Sequence, residues 1–167
     1  MGVEAQKVTQ ESRFGNRSES PHPSTRARLQ EYLFVERSAV ATYDLALSLG
    51  AARDVAWSLL YLRIVHDAQA RSILRHLGAH GGAPSSARPV PAAADVLWNR
   101  TLLAGVDELE DRVLAVYQED TAGLDERALR LVDSQLEPAQ KRTRDWVASL
   151  VSREALRNSA ASAEIMA

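Results

Sequence analysis

The chain has 167 residues, 46% of them hydrophobic and 25% charged, with a formal net charge of −2. That length builds one domain around one sizeable core, and the near-neutral balance gives no general pull toward nucleic acid or anionic lipid. Cysteine is absent and the only methionines are Met1 and Met166, which excludes disulfides, thiolate nucleophiles, cysteine zinc sites, iron–sulfur clusters and a core methionine haem ligand.

Residues 1–23, MGVEAQKVTQESRFGNRSESPHP, are polar and show no apolar period. They read as a disordered tail or docking arm, through which a protein partner would bind. They lack the apolar h-region of a signal peptide. Gln6 stands where a myristoylation signal after Gly2 wants Ser or Thr. Nothing approaches the roughly 20 apolar residues of a membrane span. A cytoplasmic protein without membrane or nucleic-acid partners is expected.

From Ser24 the chain is rich in Ala, Leu, Arg and Glu, all good helix formers, and shows no strand signal. The first predicted helix covers 25–49. Its apolar stripe is Leu29, Leu33, Val40 and Leu47, and Glu36 and Tyr43 fall on that same stripe. Gly50 supplies a left-handed cap. A second helix covers 52–78 along Val55, Leu59, Leu62, His66, Gln69 and Ile73, so His66 and Gln69 interrupt the seam at its middle. Trp57 and Leu60 lie beside this seam, as if the helix had a second apolar face. That motivates at least a homodimer. His76 and His80 read as surface residues.

Residues 78–91, GAHGGAPSSARPVP, are too rich in Gly and Pro to be helical. A third helix, 93–120, follows Pro91. Its stripe is Leu103, Val106, Glu110, Val113 and Tyr117. After Gly123 a fourth helix covers 124–156, with Leu129, Val132, Leu136, Thr143, Trp146 and Leu150 on its seam. Glu137 lies one position off the seam's centre, three residues before Gln140. Pro138 removes the amide bond to the Ser134 carbonyl and predicts a kink. Trp57, Trp98 and Trp146 read as packing anchors, and the basic face Lys141 to Arg144 as solvated. Residues 157–167 read as a frayed tail.

The fold class is therefore all-α, a four-helix bundle over 24–156. The two short connections make antiparallel hairpins. The 14-residue linker between the second and third helices reaches roughly 46–50 Å when extended. A 27-residue helix is roughly 40 Å long. The linker can thus cross the whole bundle and make those two helices parallel. An up-down-up-down bundle with a loose loop is the alternative.

An internal repeat favours the crossover. ERSAVATY at 36–43 and EDRVLAVY at 110–117 are both Glu, six residues, Tyr. This arrangement is similar to the ferritin-like superfamily, and the Glu-x6-Tyr of the first helix resembles rubrerythrin. The stretch QARSILRHL resembles the rubrerythrin segment that begins at the second-helix histidine. The nearest likeness is to a bacterial ferritin-like four-helix family of unknown function, through GGAP at 81–84, Trp98 and Glu110 to Tyr117. The resemblance covers about residues 26–151. It implies metal ligands from all four helices, with one Glu from each of two and Glu-x-x-His from each of the others.

This chain departs from that set. Its second helix has His66-x-x-Gln69 and its fourth has Glu137-x-x-Gln140. The resemblance leaves Glu36, His66, Glu110 and Glu137 as candidate metal ligands. They would hold one divalent ion such as iron, manganese or zinc but make a poor redox pair. Tyr43, Gln69, Tyr117 and Gln140 form the supporting polar layer. The other reading needs no metal: His66 is protonated between two glutamates, and tyrosines donate to both. The two readings imply, respectively, an atypical oxidase or iron-handling protein, and a non-catalytic structural or interaction protein.

Geometry adds a specific expectation. With the first and third helices antiparallel and Glu36 level with Glu110, each tyrosine lies two turns, roughly 10.5 Å, from its own glutamate. Helical side chains lean toward their N-terminus. Tyr43 should therefore reach Glu110, and Tyr117 should reach Glu36.

Overall fold

Long runs of helix-forming residues carry the first two helices to nearly their expected ends: α1 is Pro23–Ser48 and α2 is Arg53–Ala79. The computed structural model describes residues 23–51, 53–79, 102–119, 121 and 123–165. The tail before Pro23, His80, most of the linker, Trp98 and the expected first turns of the third helix lie outside the described residues. Within them the third helix, α3, is Leu102–Gln118. Gly50 takes φ +81°, closing α1 as a glycine in the left-handed region does.

The fourth helix differs from the sequence expectation. It consists of α4, Glu126–Leu131, one π-helical turn over Val132–Leu136, and α5, Glu137–Ile165. Pro138 has no N–H to give the Ser134 carbonyl. In place of a simple kink, the ladder widens immediately before it, and the Glu137 N–H bonds the Val132 carbonyl five residues back. The far end differs too. Residues 157–165, expected to fray, are helical. They contain no glycine or proline to stop α5, and Arg157 pairs with Glu154 at 3.4 Å.

Asp125 caps α4, its carboxylate accepting from the Ala128 N–H at 2.8 Å. Its own N–H donates to the Thr25 hydroxyl at 2.8 Å, and Thr25 donates to the Gly123 carbonyl at 2.9 Å. The first and last helices thus start together. Asp125→Ala should lower stability by about 1 kcal/mol in urea denaturation.

Side-chain pairs fix the directions. Arg63 reaches Asp44, and Glu36 reaches His66, so α1 and α2 are antiparallel. Gln118 meets Glu137 and Arg144 meets Asp111, so α3 and α5 are antiparallel. Gln69 bonds the Leu136 carbonyl while the Tyr61 ring lies tilted against Trp146, so α2 opposes α5. Therefore α2 and α3 run parallel. Around the bundle the order is α2, α1, α3, α5, which puts α2 and α3 on a diagonal.

Two apolar clusters make the core. One holds Leu29, Leu33, Ile73, Leu77, Tyr117 and Leu131, the other Tyr43, Val55, Leu59, Leu62, Leu103 and Val147. Each buried aliphatic side chain contributes roughly 1.5–3 kcal/mol. The chain leaves α2 at the first cluster and enters α3 at the second, at opposite ends of the bundle. Trp57 and Trp146 depart from their expected packing role, being 67% and 46% exposed. On α1 the buried stripe runs through Ala39 and Ala46, leaving Val40 and Leu47 half-buried. None of the described helices is long and apolar enough to cross a membrane.

Candidate functional site

Between the two apolar clusters lies one polar layer. Glu36 comes from the middle of α1, His66 from α2 and Glu110 from α3, and all three are fully buried. The imidazole bridges the carboxylates. Its Nδ1 lies 2.8 Å from Glu36 Oε2 and its Nε2 lies 2.9 Å from Glu110 Oε1. Both nitrogens can donate only in the imidazolium form. Burial alone would lower the His66 pKa, but the charges of Glu36 and then Glu110 outweigh it and raise the value to about 10. Burial likewise opposes ionisation of Glu110, yet the His66 charge and hydrogen bonds from His66, Tyr43 and Thr143 hold its carboxyl below the usual range. At neutral pH His66 is thus a cation held between the side chains of Glu36 and Glu110.

The tyrosines complete the layer. Tyr43 donates to Glu110 Oε1 and Tyr117 donates to Glu36 Oε1, the two cross-helix bonds that the Glu-x6-Tyr repeat implies. These bonds make α1 and α3 antiparallel, since advancing along one means retreating along the other. Burial, then the facing glutamate, pushes each phenol well above its ordinary pKa, so both stay protonated donors. The Tyr43 ring also stacks on the imidazole, with centroids 5.4 Å apart, a favourable position for a cation.

The two carboxylates are served unequally. Glu36 has two partners, Tyr117 and His66. Glu110 has four, because Gln140 and Thr143 from α5 also reach its Oε2, Thr143 at 2.8 Å. A bond to a charged acceptor is worth roughly 1.5–3 kcal/mol. Tyr117→Phe should therefore cost more than Tyr43→Phe in urea denaturation, since Glu36 keeps one donor and Glu110 keeps three. Tyr61→Phe, at a half-exposed position, should change stability by less than about 0.5 kcal/mol.

The remaining sequence candidates divide. Gln140 joins the layer. Gln69 is buried nearby but donates to the Leu136 carbonyl at 3.2 Å, not to the triad. Glu137 is outside it. It bonds Lys141 at 2.8 Å and Gln118 at 3.5 Å, and Lys141 holds its carboxyl below the usual range. Register explains the split: beyond the π turn, Gln140, Thr143 and Val147 face inward and Glu137 lies on the flank. Thr143 was legible only as a seam residue. Its three-residue spacing from Gln140, on one helical face, was the signal that it shares Gln140's acceptor.

The donor set does not suit a metal ion. Each ring nitrogen of His66 is committed to a carboxylate, and Gln140 turns its NH2 toward Glu110. Among the described residues no group of three or more His, Cys, Asp or Glu is arranged to hold a metal. The space between two carboxylates that a cation would take is filled by the imidazolium. Against known proteins, no family model, curated protein or solved structure matches the chain. Fold and site together define a class: an all-α helical bundle with a buried Glu–His–Glu ion triad.

Proposed function

We propose that the chain is a ferritin-like four-helix bundle in which an ion triad stands in place of a metal centre, and that it serves as a structural or interaction protein. Parallel α2 and α3, joined from end to end of the bundle, support the ferritin-like reading. So does the origin of the buried glutamates on α1 and α3. The observation that carries the non-catalytic reading is the His66 imidazole seated between Glu36 and Glu110 with both nitrogens engaged. An imidazolium there supplies locally the positive charge that two buried carboxylates require, and it leaves no lone pair for a metal.

Metal content tests this reading. The protein is purified without chelator and analysed for bound elements, before and after anaerobic addition of ferrous iron or manganese. No stoichiometric metal is expected in either state. One ion per chain, lost in Glu36→Ala and Glu110→Ala, would overturn the proposal in favour of a metal-dependent oxidase or iron-handling protein.

A further inference from the structure

The α2 helix is apolar on two opposite faces. Val55, Leu59, Leu62 and Ile73 are buried in the core. On the other side Trp57 is 67% exposed, Tyr61 55%, Ile64 50% and Leu60 36%. Their spacing of three, four and seven residues from Trp57 sets all four on one face, about 100° wide. Trp146 of α5 extends this surface, its ring centroid 5.8 Å from that of Tyr61. Single exposed apolar residues are ordinary, whereas a contiguous patch marks an interaction face.

We propose that this face of α2 binds the same face of a second copy of the chain, the two α2 helices running antiparallel about a two-fold axis at Leu60 and Tyr61. A two-fold interface needs one patch that fits itself. Reversing α2 about the midpoint between Leu60 and Tyr61 exchanges Trp57 with Ile64 and Leu60 with Tyr61. Each ring thereby meets an aliphatic side chain of the other copy. Half-buried Ala56 and Val65 exchange in the same way at the edge of the patch. Charge agrees with this direction. Arg53 and Asp67 lie on the Leu60 side of the face, and the same axis brings them level to within one residue, roughly 1.5 Å. Arg53 of one copy then faces Asp67 of the other, whose side chain is 40% exposed beside Arg71. A parallel pair would instead set Arg53 against Arg53.

The area is that of a dimer contact. A whole aromatic side chain buries roughly 150–250 Å². At their observed exposures the three rings, with Leu60 and Ile64, present on the order of 500 Å² of apolar surface. A stable interface takes about 800 Å² per partner, of which about 65% is apolar in homodimers. The patch meets that apolar requirement, and Arg53 and Asp67 stand at its polar rim. Self-association of this kind rests on the interaction role proposed above and gives it a partner. Particle mass and metal content are separate readouts, so either reading can fail alone.

Sedimentation equilibrium of the full chain at tens of micromolar tests the pairing. The expected particle has about twice the chain mass of 18.3 kDa. Trp57→Glu and, separately, Ile64→Glu should return it to the mass of one chain, while Ala115→Glu, exposed on the diagonal helix α3, should leave the dimer intact. Both patch positions are exposed, and circular dichroism confirms that each variant keeps its helices. The chain has no cysteine, so one introduced thiol reports direction. Leu60→Cys, beside the axis, should oxidise to a disulfide-linked dimer. Arg75→Cys should not, because antiparallel helices hold its two copies roughly 40 Å apart. A wild-type particle of single-chain mass, a dimer that survives both glutamate substitutions, or equal cross-linking from positions 60 and 75 would overturn the proposal.

Discussion

His66→Leu should destabilise the protein by about 3–5 kcal/mol at neutral pH, because it removes the cation from between two buried carboxylates. The figure is a large share of the roughly 5–15 kcal/mol by which domains are stable. Leucine is close in volume to imidazole, so the cost comes from the stranded charges rather than from a cavity. Neither Glu36 nor Glu110 has access to water. In the variant Glu110 would lose the His66 charge that holds its carboxyl below the usual range, so the deficit should change with pH. Equilibrium urea unfolding at several pH values measures this. A loss below about 1 kcal/mol at pH 7 would show that the glutamates were never both charged.

The triad acts as a unit, so losses from its members should not add. Converting Glu36, His66 and Glu110 together to leucine, with Tyr43 and Tyr117 as phenylalanine, removes every charge and both orphaned hydroxyls. That variant should be more stable than His66→Leu alone, since well-packed apolar side chains commonly replace buried ions at little cost. The residual deficit traces to Gln140 and Thr143, which lose Glu110 as their acceptor. What the ions contribute on this view is register. A one-residue slip of α1 against α3 would part both tyrosines from their glutamates at once.

How much of this was legible in the sequence depends on the physical signal each feature leaves. The helices were legible because composition and period agree over long segments. The Tyr–Glu pairs were legible because the repeat fixes a two-turn spacing, and two turns is the distance at which opposed side chains converge. What Pro138 would do to the fourth helix was less legible, for an equally physical reason. Pro138 announced a defect, but a missing amide can be absorbed by a bend or by a wider turn, and only the wider turn resets which residues face inward. Trp57 and Trp146 were misjudged as internal anchors. Large aromatic residues bury well on any apolar surface, and the sequence does not distinguish a core position from an exposed helix face. The helical reach of α5 to Ile165 was missed because its serines suggest an end, yet no residue there forbids a helix.

The alkaline side of the stability profile should belong to His66. In the unfolded chain its pKa is near 6.5, and in the folded protein it is raised to about 10. A raised value means that the folded state binds the proton more tightly. The resulting stabilisation is complete below about 6.5 and is lost as pH climbs toward 10. Across that interval the loss amounts to at most about 1.4 kcal/mol per pH unit. Glu110 works in the opposite direction. Its folded value lies below the ordinary 4.5, so its contribution is present above that pH and disappears as pH falls through the lowered value. From these two groups the protein should be most stable between about pH 4.5 and 6.5. The hydroxyl and amide groups of the layer do not titrate inside this window. Tyr43 and Tyr117 ionise well above their usual range, and Gln140 and Thr143 are neutral. Thermal melts of wild type and His66→Gln should therefore differ most at pH 5–6 and draw together as pH passes 9. A gap that stays constant from pH 5 to 9 would mean that His66 is neutral in the fold, and the ion triad would have to be abandoned.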